Sequence, residues 1–225
     1  MRPVNKGTAP NIYKEYGEAR HDLAYRIGYY CSYCEMKVFN SIEVEHILPQ
    51  NQGGNVVDWD NFLLSCKYCN TIKSDRNASL IGYFWPDRDN TDLVFDYDEV
   101  NVVAGKARLS KSLIVYANNT IDLAGLGRRP GSTKSPTKAD TRWRSRKENW
   151  DKARKSLSNW KLASIPPMAK QIGITALGGH YSIWCEVFKT EQIVLDEIDT
   201  AYRTKGLFKE FEIDGSRKIR PQGLI

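Results

Sequence analysis

Two Cys-x-x-Cys pairs, Cys31/Cys34 and Cys66/Cys69, bracket a Glu45-His46 step in the first third of the chain. Asp60-Asn61 follows that step, and Asn70 comes directly after the last of the four cysteines. Four thiols in two pairs can enclose one ion tetrahedrally, as zinc prefers, with no ligand position left for water. A carboxylate beside an imidazole, with amides nearby, can hold a second, open ion and activate water. The first arrangement staples a chain and the second hydrolyses a bond. A clamp folded around a hydrolytic centre points to a metal-dependent nuclease.

The clamp needs two segments that are remote in sequence, since 31 residues lie between Cys34 and Cys66. Zinc would be structural here, holding those segments together. Soft thiolates would also suit an iron–sulfur cluster, although the paired spacing is better known for zinc. Cys185, in the apolar run Ile183-Trp184-Cys185, reads as packing. His21 and His180 have no comparable setting and read as structural or surface residues.

The elements that must position these residues are short. Ile12, Tyr16, Ala19, Leu23 and Ile27 recur at three- and four-residue steps, which predicts a helix over 11–30 leading into Cys31. Alternation over 42–47 predicts a strand ended by Pro49, with Gln52-Gly53-Gly54-Asn55 as a loop. Phe62-Leu63-Leu64 enters the second cysteine knuckle, and a short helix is expected from Asn70 to about Arg76. Val94, Phe95 and Tyr97, then Val100, Val102 and Val103, read as extended pieces. Residues 129–138 (RPGSTKSPTK) are the best linker, so 1–127 and 128–225 are taken as two units. The second unit is expected to be mainly helical. A helix over 140–162 would gather Trp143, Trp150, Leu157 and Trp160 on one face, with the arginines and lysines on the others, until Pro166-Pro167 stops it. Those tryptophans read as core rather than as base-stacking platforms. Further helices are expected near 168–188 and 190–204, and a polar, extended tail from Gly215.

The bulk numbers agree with a folded protein. The chain has 225 residues, 41% of them hydrophobic, enough for a core. No run of about 18 apolar residues could span a membrane. The opening MRPVNKGTAP lacks the apolar stretch of a secretory signal, which implies a cytoplasmic protein with reduced thiols. The net charge of +6 is uneven: residues 128–161 hold twelve Lys/Arg against three Asp/Glu. A basic block on a near-neutral body suits a polyanion, most simply nucleic acid.

The run Glu43-Val-Glu-His46-Ile-Leu-Pro49, then Gly53-Gly54, Asp60-Asn61-Phe-Leu-Leu and Cys66-Lys-Tyr-Cys69-Asn70-Thr-Ile-Lys73, resembles the HNH endonucleases over about residues 28–77. That resemblance implies an α+β fold: a zinc-stapled ββα-metal core with added, mainly helical N- and C-terminal elements. It implies that His46 is the general base; imidazole titrates near neutrality, which suits the task. Glu45 would ligate a catalytic Mg²⁺ or Mn²⁺, a hard ion that favours oxygen. Glu43, two residues away on the same strand face, is the alternative ligand. Asn61 would brace the loop and orient His46. Asn70 stands where many relatives carry a last histidine and still offers the metal an oxygen, giving an H-N-N variant. Lys67, Lys73 and Arg76 flank the expected catalytic helix and are candidate phosphate contacts.

A wider and more diffuse resemblance takes in Met1-Arg-Pro-Val-Asn-Lys-Gly7 and Trp85-Pro-Asp-Arg-Asp-Asn-Thr91. It is to HNH proteins of the PtuB type, from Septu and retron-associated anti-phage loci, and implies an ABC-type ATPase partner like PtuA. The chain itself has no G-x-x-x-x-G-K-[ST] loop, so ATP dependence would come from that partner. Two other readings stand beside a DNA endonuclease: a non-catalytic zinc-ribbon module that binds DNA or protein, and an HNH nuclease acting on RNA. A pure clamp has no need of Glu45-His46 or the two asparagines.

Overall fold

In the computed structural model, residues 1–105, 108–209, 211–212 and 218–225 are described. The architecture is α+β, with two antiparallel hairpins and, among the described residues, seven α-helices. None of these helices is long and apolar enough to cross a membrane.

The first helix, α1 (Ala19–Ile27), is shorter than its periodicity predicts. Residues 11–15 run outside it, and Ile12 is fully exposed. The Glu18 carboxylate explains the late start: it accepts from the backbone N–H groups of Lys14 and Glu15 and sets the entry turn. Tyr13 then turns inward to stack on Trp59, with ring centroids 5.9 Å apart. Gly28 ends α1 at φ 76°, and a side chain there would strike the Tyr30 ring at 2.7 Å.

Strands β1 (Glu43–His46) and β2 (Phe62–Ser65) pair antiparallel, with His46 opposite Phe62 and Glu43 opposite Ser65. All four β2 residues are buried, so the run reads as apolar rather than alternating. Helix α2 (Lys67–Lys73) follows at once. This ββα unit packs under α1. A second hairpin, β3 (Phe95–Asp98) and β4 (Asn101–Ala104), and helix α3 (Lys111–Leu123) complete the first core.

Helix α4 (Arg142–Leu162) differs in orientation from its predicted face. Its buried stripe is Arg142, Arg146, Asn149, Ala153 and Trp160, while Trp143, Trp150 and Leu157 are half-buried. Steps of three and four keep pace with the helical turn, whereas the seven-residue spacing of Trp143, Trp150 and Leu157 drifts by ~20° per repeat. Two of the expected surface arginines are therefore interior.

Pro166-Pro167 open α5 (Pro166–Ala176) at its first two positions. The helix expected over 168–188 divides there: Gly178-Gly179 and His180, at φ 58°, separate α5 from α6 (Tyr181–Val187). Helix α7 (Gln192–Arg203) lies so close on α5 that a side chain at Gly173 would meet the Glu197 carbonyl at 2.6 Å.

The 129–138 stretch is tied down rather than loose. Ser132 Oγ donates to the Arg129 carbonyl at 2.7 Å, and Lys134 pairs with Asp122. The segments on either side of 127–128 also interlock. Met36 forms a bridge with Gly179, and Ser182 Oγ donates to the Glu35 carboxylate at 2.6 Å. In the tail, residues 215–217 lie outside the described residues, whereas Arg220 is buried and donates to the carbonyls of Val4, Pro86 and Asp89.

Candidate active site

The four cysteines converge. One ligand atom from each of Cys31, Cys34, Cys66 and Cys69 lies within 4.8 Å of every other, and all four residues are buried. Local structure produces this. The first knuckle hangs from β2 by a bond from Ser32 N–H to the Leu64 carbonyl, 2.8 Å long. The second wraps the start of α2, where Cys66 Sγ accepts from the Cys69 backbone N–H at 3.5 Å. Burial works against ionising Cys31, yet hydrogen bonds from Cys34, Cys66 and Cys69 hold its thiol well below the usual range. Four buried sulfurs at this spacing fit zinc.

On the same ββα unit, a cleft of about 270 Å³ is lined by Glu45, His46, Pro49, Gln50, Asn51, Asn70, Ser74 and Asp75. It brings together Glu45 and His46 from β1 with Asn70 from α2. His46 is half-buried, edge-on to Tyr16 and Phe62 at centroid distances of 5.0 and 5.3 Å. Its Nε2 lies 3.0 Å from the Val56 carbonyl. A carbonyl can only accept, so Nε2 carries a proton, and in the neutral ring the lone pair is then on Nδ1.

The Glu45 carboxylate is held at both oxygens: Lys73 Nζ lies 2.5 Å from Oε1, and the Tyr33 hydroxyl donates to Oε2 at 2.6 Å. Burial raises its carboxyl to about 6, against the pull of Lys73 and Tyr33. Glu43, the alternative ligand, pairs with the Asn70 side chain. Its Oε2 accepts from Asn70 Nδ2 at 2.7 Å, which leaves the Asn70 amide oxygen free. A hard divalent ion on Glu45 would share a carboxylate oxygen already held by Lys73 or Tyr33, with the Asn70 amide oxygen beside it. Among the described residues the cysteines are the one group of three or more His, Cys, Asp or Glu close enough to cage an ion. The cleft is open by comparison.

Asn61 braces the connecting loop from inside. Its Oδ1 accepts from Leu48 N–H at 2.8 Å, and its Nδ2 donates to the carbonyls of Leu48 and Asn55 at 3.0 Å each. The same loop carries Val56, the residue that fixes the His46 ring. Gly54 is required where this loop folds back, because a side chain there would sit 1.9 Å from the Leu48 carbonyl oxygen.

The expected phosphate contacts fare unequally. Lys67 is exposed on the first turn of α2. Lys73 is not a surface cation: it is 1% exposed, bonded to Glu45 and, at 2.7 Å, to the His46 carbonyl. Its position on the inner face of α2 dictates this. Arg76 is exposed but committed to the end of α3, binding Asp122 at 2.6 Å and the carbonyls of Asp122 and Leu123. Sequence reasoning missed Tyr33 and Lys73 as holders of Glu45, and Glu43 as the holder of Asn70. Only the placement of Glu43 and Glu45 on one strand face hinted at a division of labour.

Residues 31–76 match the model of the HNH endonuclease family. Searches of curated proteins and of solved structures give no match. The family match and the four-cysteine cluster support an HNH-type zinc site and a nuclease-type function, and with it an interaction with nucleic acid.

Proposed function

We propose that the chain is a metal-dependent endonuclease that hydrolyses phosphodiester bonds in DNA, with His46 as the general base. The observation that carries this reading is the His46 ring, pinned through Nε2 to the Val56 carbonyl, beside a cleft that also holds Glu45 and Asn70. His46 Nδ1 takes the proton of the attacking water. Glu45 and Asn70 hold a Mg²⁺ or Mn²⁺ ion, which supplies charge stabilisation at the phosphate and the leaving oxygen. Tyr33 and Lys73 fix the Glu45 carboxylate, Glu43 turns the Asn70 amide, and Asn61 keeps the loop that orients His46. Structural zinc on the four cysteines holds β2, α2 and the first knuckle in register.

We further infer that residues 1–127 form the nuclease unit and 128–225 an accessory helical region built against it, in a cytoplasmic protein. The likeness of Met1–Gly7 and Trp85–Thr91 to PtuB-type proteins supports a role as the effector nuclease of a bacterial anti-phage system, with an ABC-type ATPase partner.

The test is cleavage of plasmid DNA and of a structured RNA with Mg²⁺ or Mn²⁺, by wild type and His46→Ala. Loss of DNA cleavage in His46→Ala, with zinc content intact, is the expected result. Equal nicking by both proteins would remove His46 from the mechanism, and cutting of RNA alone would change the substrate. Co-purification with the products of neighbouring genes tests the ATPase partner.

A further inference from the structure

Helix α4 carries much of the basic block, yet two of its arginines face inward, and one of them reaches a cysteine sulfur. Every N–H of the Arg142 guanidinium has an acceptor. Nε and one Nη2 hydrogen reach Asp140 at 2.8 Å each, and the other Nη2 hydrogen reaches the Gly125 carbonyl at 3.3 Å. Nη1 donates to the Ala124 carbonyl at 2.9 Å and to Cys69 Sγ at 3.0 Å. One turn further along the same stripe, Arg146 is buried and donates to the carbonyls of Val100 and Arg128 at 2.8 and 3.1 Å.

Four thiolates around one divalent ion form a dianion, and this one is closed off from water. A buried charge without a counter-charge is costly. Asp140 shares the guanidinium of Arg142, whose Nη1 reaches the Cys69 sulfur.

We propose that Arg142 is a positioning residue of the zinc site, donating from α4 to the Cys69 sulfur, so that metal occupancy and the seating of α4 on the ββα core are one event. In this view part of the basic block serves an internal anion rather than a nucleic acid. Removing zinc loosens α4, and removing the Arg142 fork loosens zinc.

The first test uses the full chain with Co²⁺ in place of zinc, comparing wild type, Arg142→Met and Arg142→Lys. Methionine keeps the bulk without donors, and lysine keeps the charge without the fork. A lost hydrogen bond to sulfur should move the sulfur-to-cobalt charge-transfer band to lower energy in both variants. Zinc affinity, read by competition with a chromophoric chelator, should fall about 10–100-fold in Arg142→Met. An unchanged band and an unchanged competition curve would overturn the proposal. The second test needs only wild type, so a variant that does not fold leaves it intact. During chelator titration, tryptic cuts after Arg144, Lys147 and Arg154 should appear at the midpoint of zinc release. Cuts that ignore zinc occupancy, or an α4 still protected once zinc is gone, would overturn it equally. Neither readout requires that the chain cut nucleic acid.

Discussion

The two candidate metal sites lie side by side on the same ββα unit and are built on opposite plans. The sulfur site is closed: four buried thiols within 4.8 Å, with a buried guanidinium against one of them. The oxygen site is open, a cleft with one buried carboxylate, three amides and a half-buried imidazole. Closure suits an ion that never leaves, and openness suits one that must share its shell with water and a phosphate. Damage to the sulfur site should therefore register as lost folding, and damage to the oxygen site as lost rate.

The sharpest way to break that contrast is Cys66→Ser. Structural zinc supplies about 10–16 kcal/mol of apparent binding energy in small domains, most of it spent on folding. Bound zinc, measured by metal analysis, and soluble yield should drop together; a well-folded, zinc-replete Cys66→Ser protein would erase the distinction. His46→Ala comes next, with a cleavage rate lower by about 10²–10⁴-fold and an unchanged melting curve. A large drop in its melting temperature would instead make His46 a core residue, packed between Tyr16 and Phe62.

Asn61→Asp sharpens the comparison because it touches the loop between the sites. The aspartate can still accept from Leu48 N–H but places an oxygen against the carbonyls of Leu48 and Asn55. Roughly 2–4 kcal/mol of stability should be lost, with slower cleavage and normal zinc content. Full stability by chemical denaturation would show that the loop does not need this brace.

The smallest effect is reversible. Since burial raises the Glu45 carboxyl to about 6, lowering the pH through 6 protonates it and removes an anionic oxygen from the cleft. Cleavage at fixed Mg²⁺ should fall, approaching about tenfold per pH unit. The stability contribution has the opposite sign: the folded state binds this proton more tightly than an ordinary carboxylate would, so Glu45 favours the fold at low pH and opposes it above about 6. A pH profile of Glu45→Gln in thermal unfolding that parallels wild type would exclude that residue as the source.

Legibility followed sequence distance. Cys31, Cys34, Cys66 and Cys69 declare themselves by spacing, β1 lies within the expected 42–47, and α2 starts and ends three residues before the expected Asn70 to Arg76. Asn61 and Gly54 sit in a short loop whose contacts are local. Lys73 was misplaced because nothing in its neighbours reveals that its side of α2 faces Glu45, 28 positions earlier. Arg142 was misplaced for a related reason: a tryptophan stripe implied one buried face, while the thiolate that draws the guanidinium inward lies 73 residues upstream. The late start of α1 escaped because periodicity continues through residues that the Glu18 carboxylate holds out of the helix.

The Cys69–Arg142 contact also sets an order on synthesis. As the chain leaves a ribosome, all four cysteines emerge while their guanidinium neighbour is still 73 codons away. At about 5–20 residues per second, the gap lasts on the order of 4–15 s. Throughout it the newborn knuckle lacks its countercharge and the Gly179 bridge to Met36. The nascent thiols are then at their most open to a wrong metal or to oxidation, and the metal clamp matures only after the helices downstream have been made.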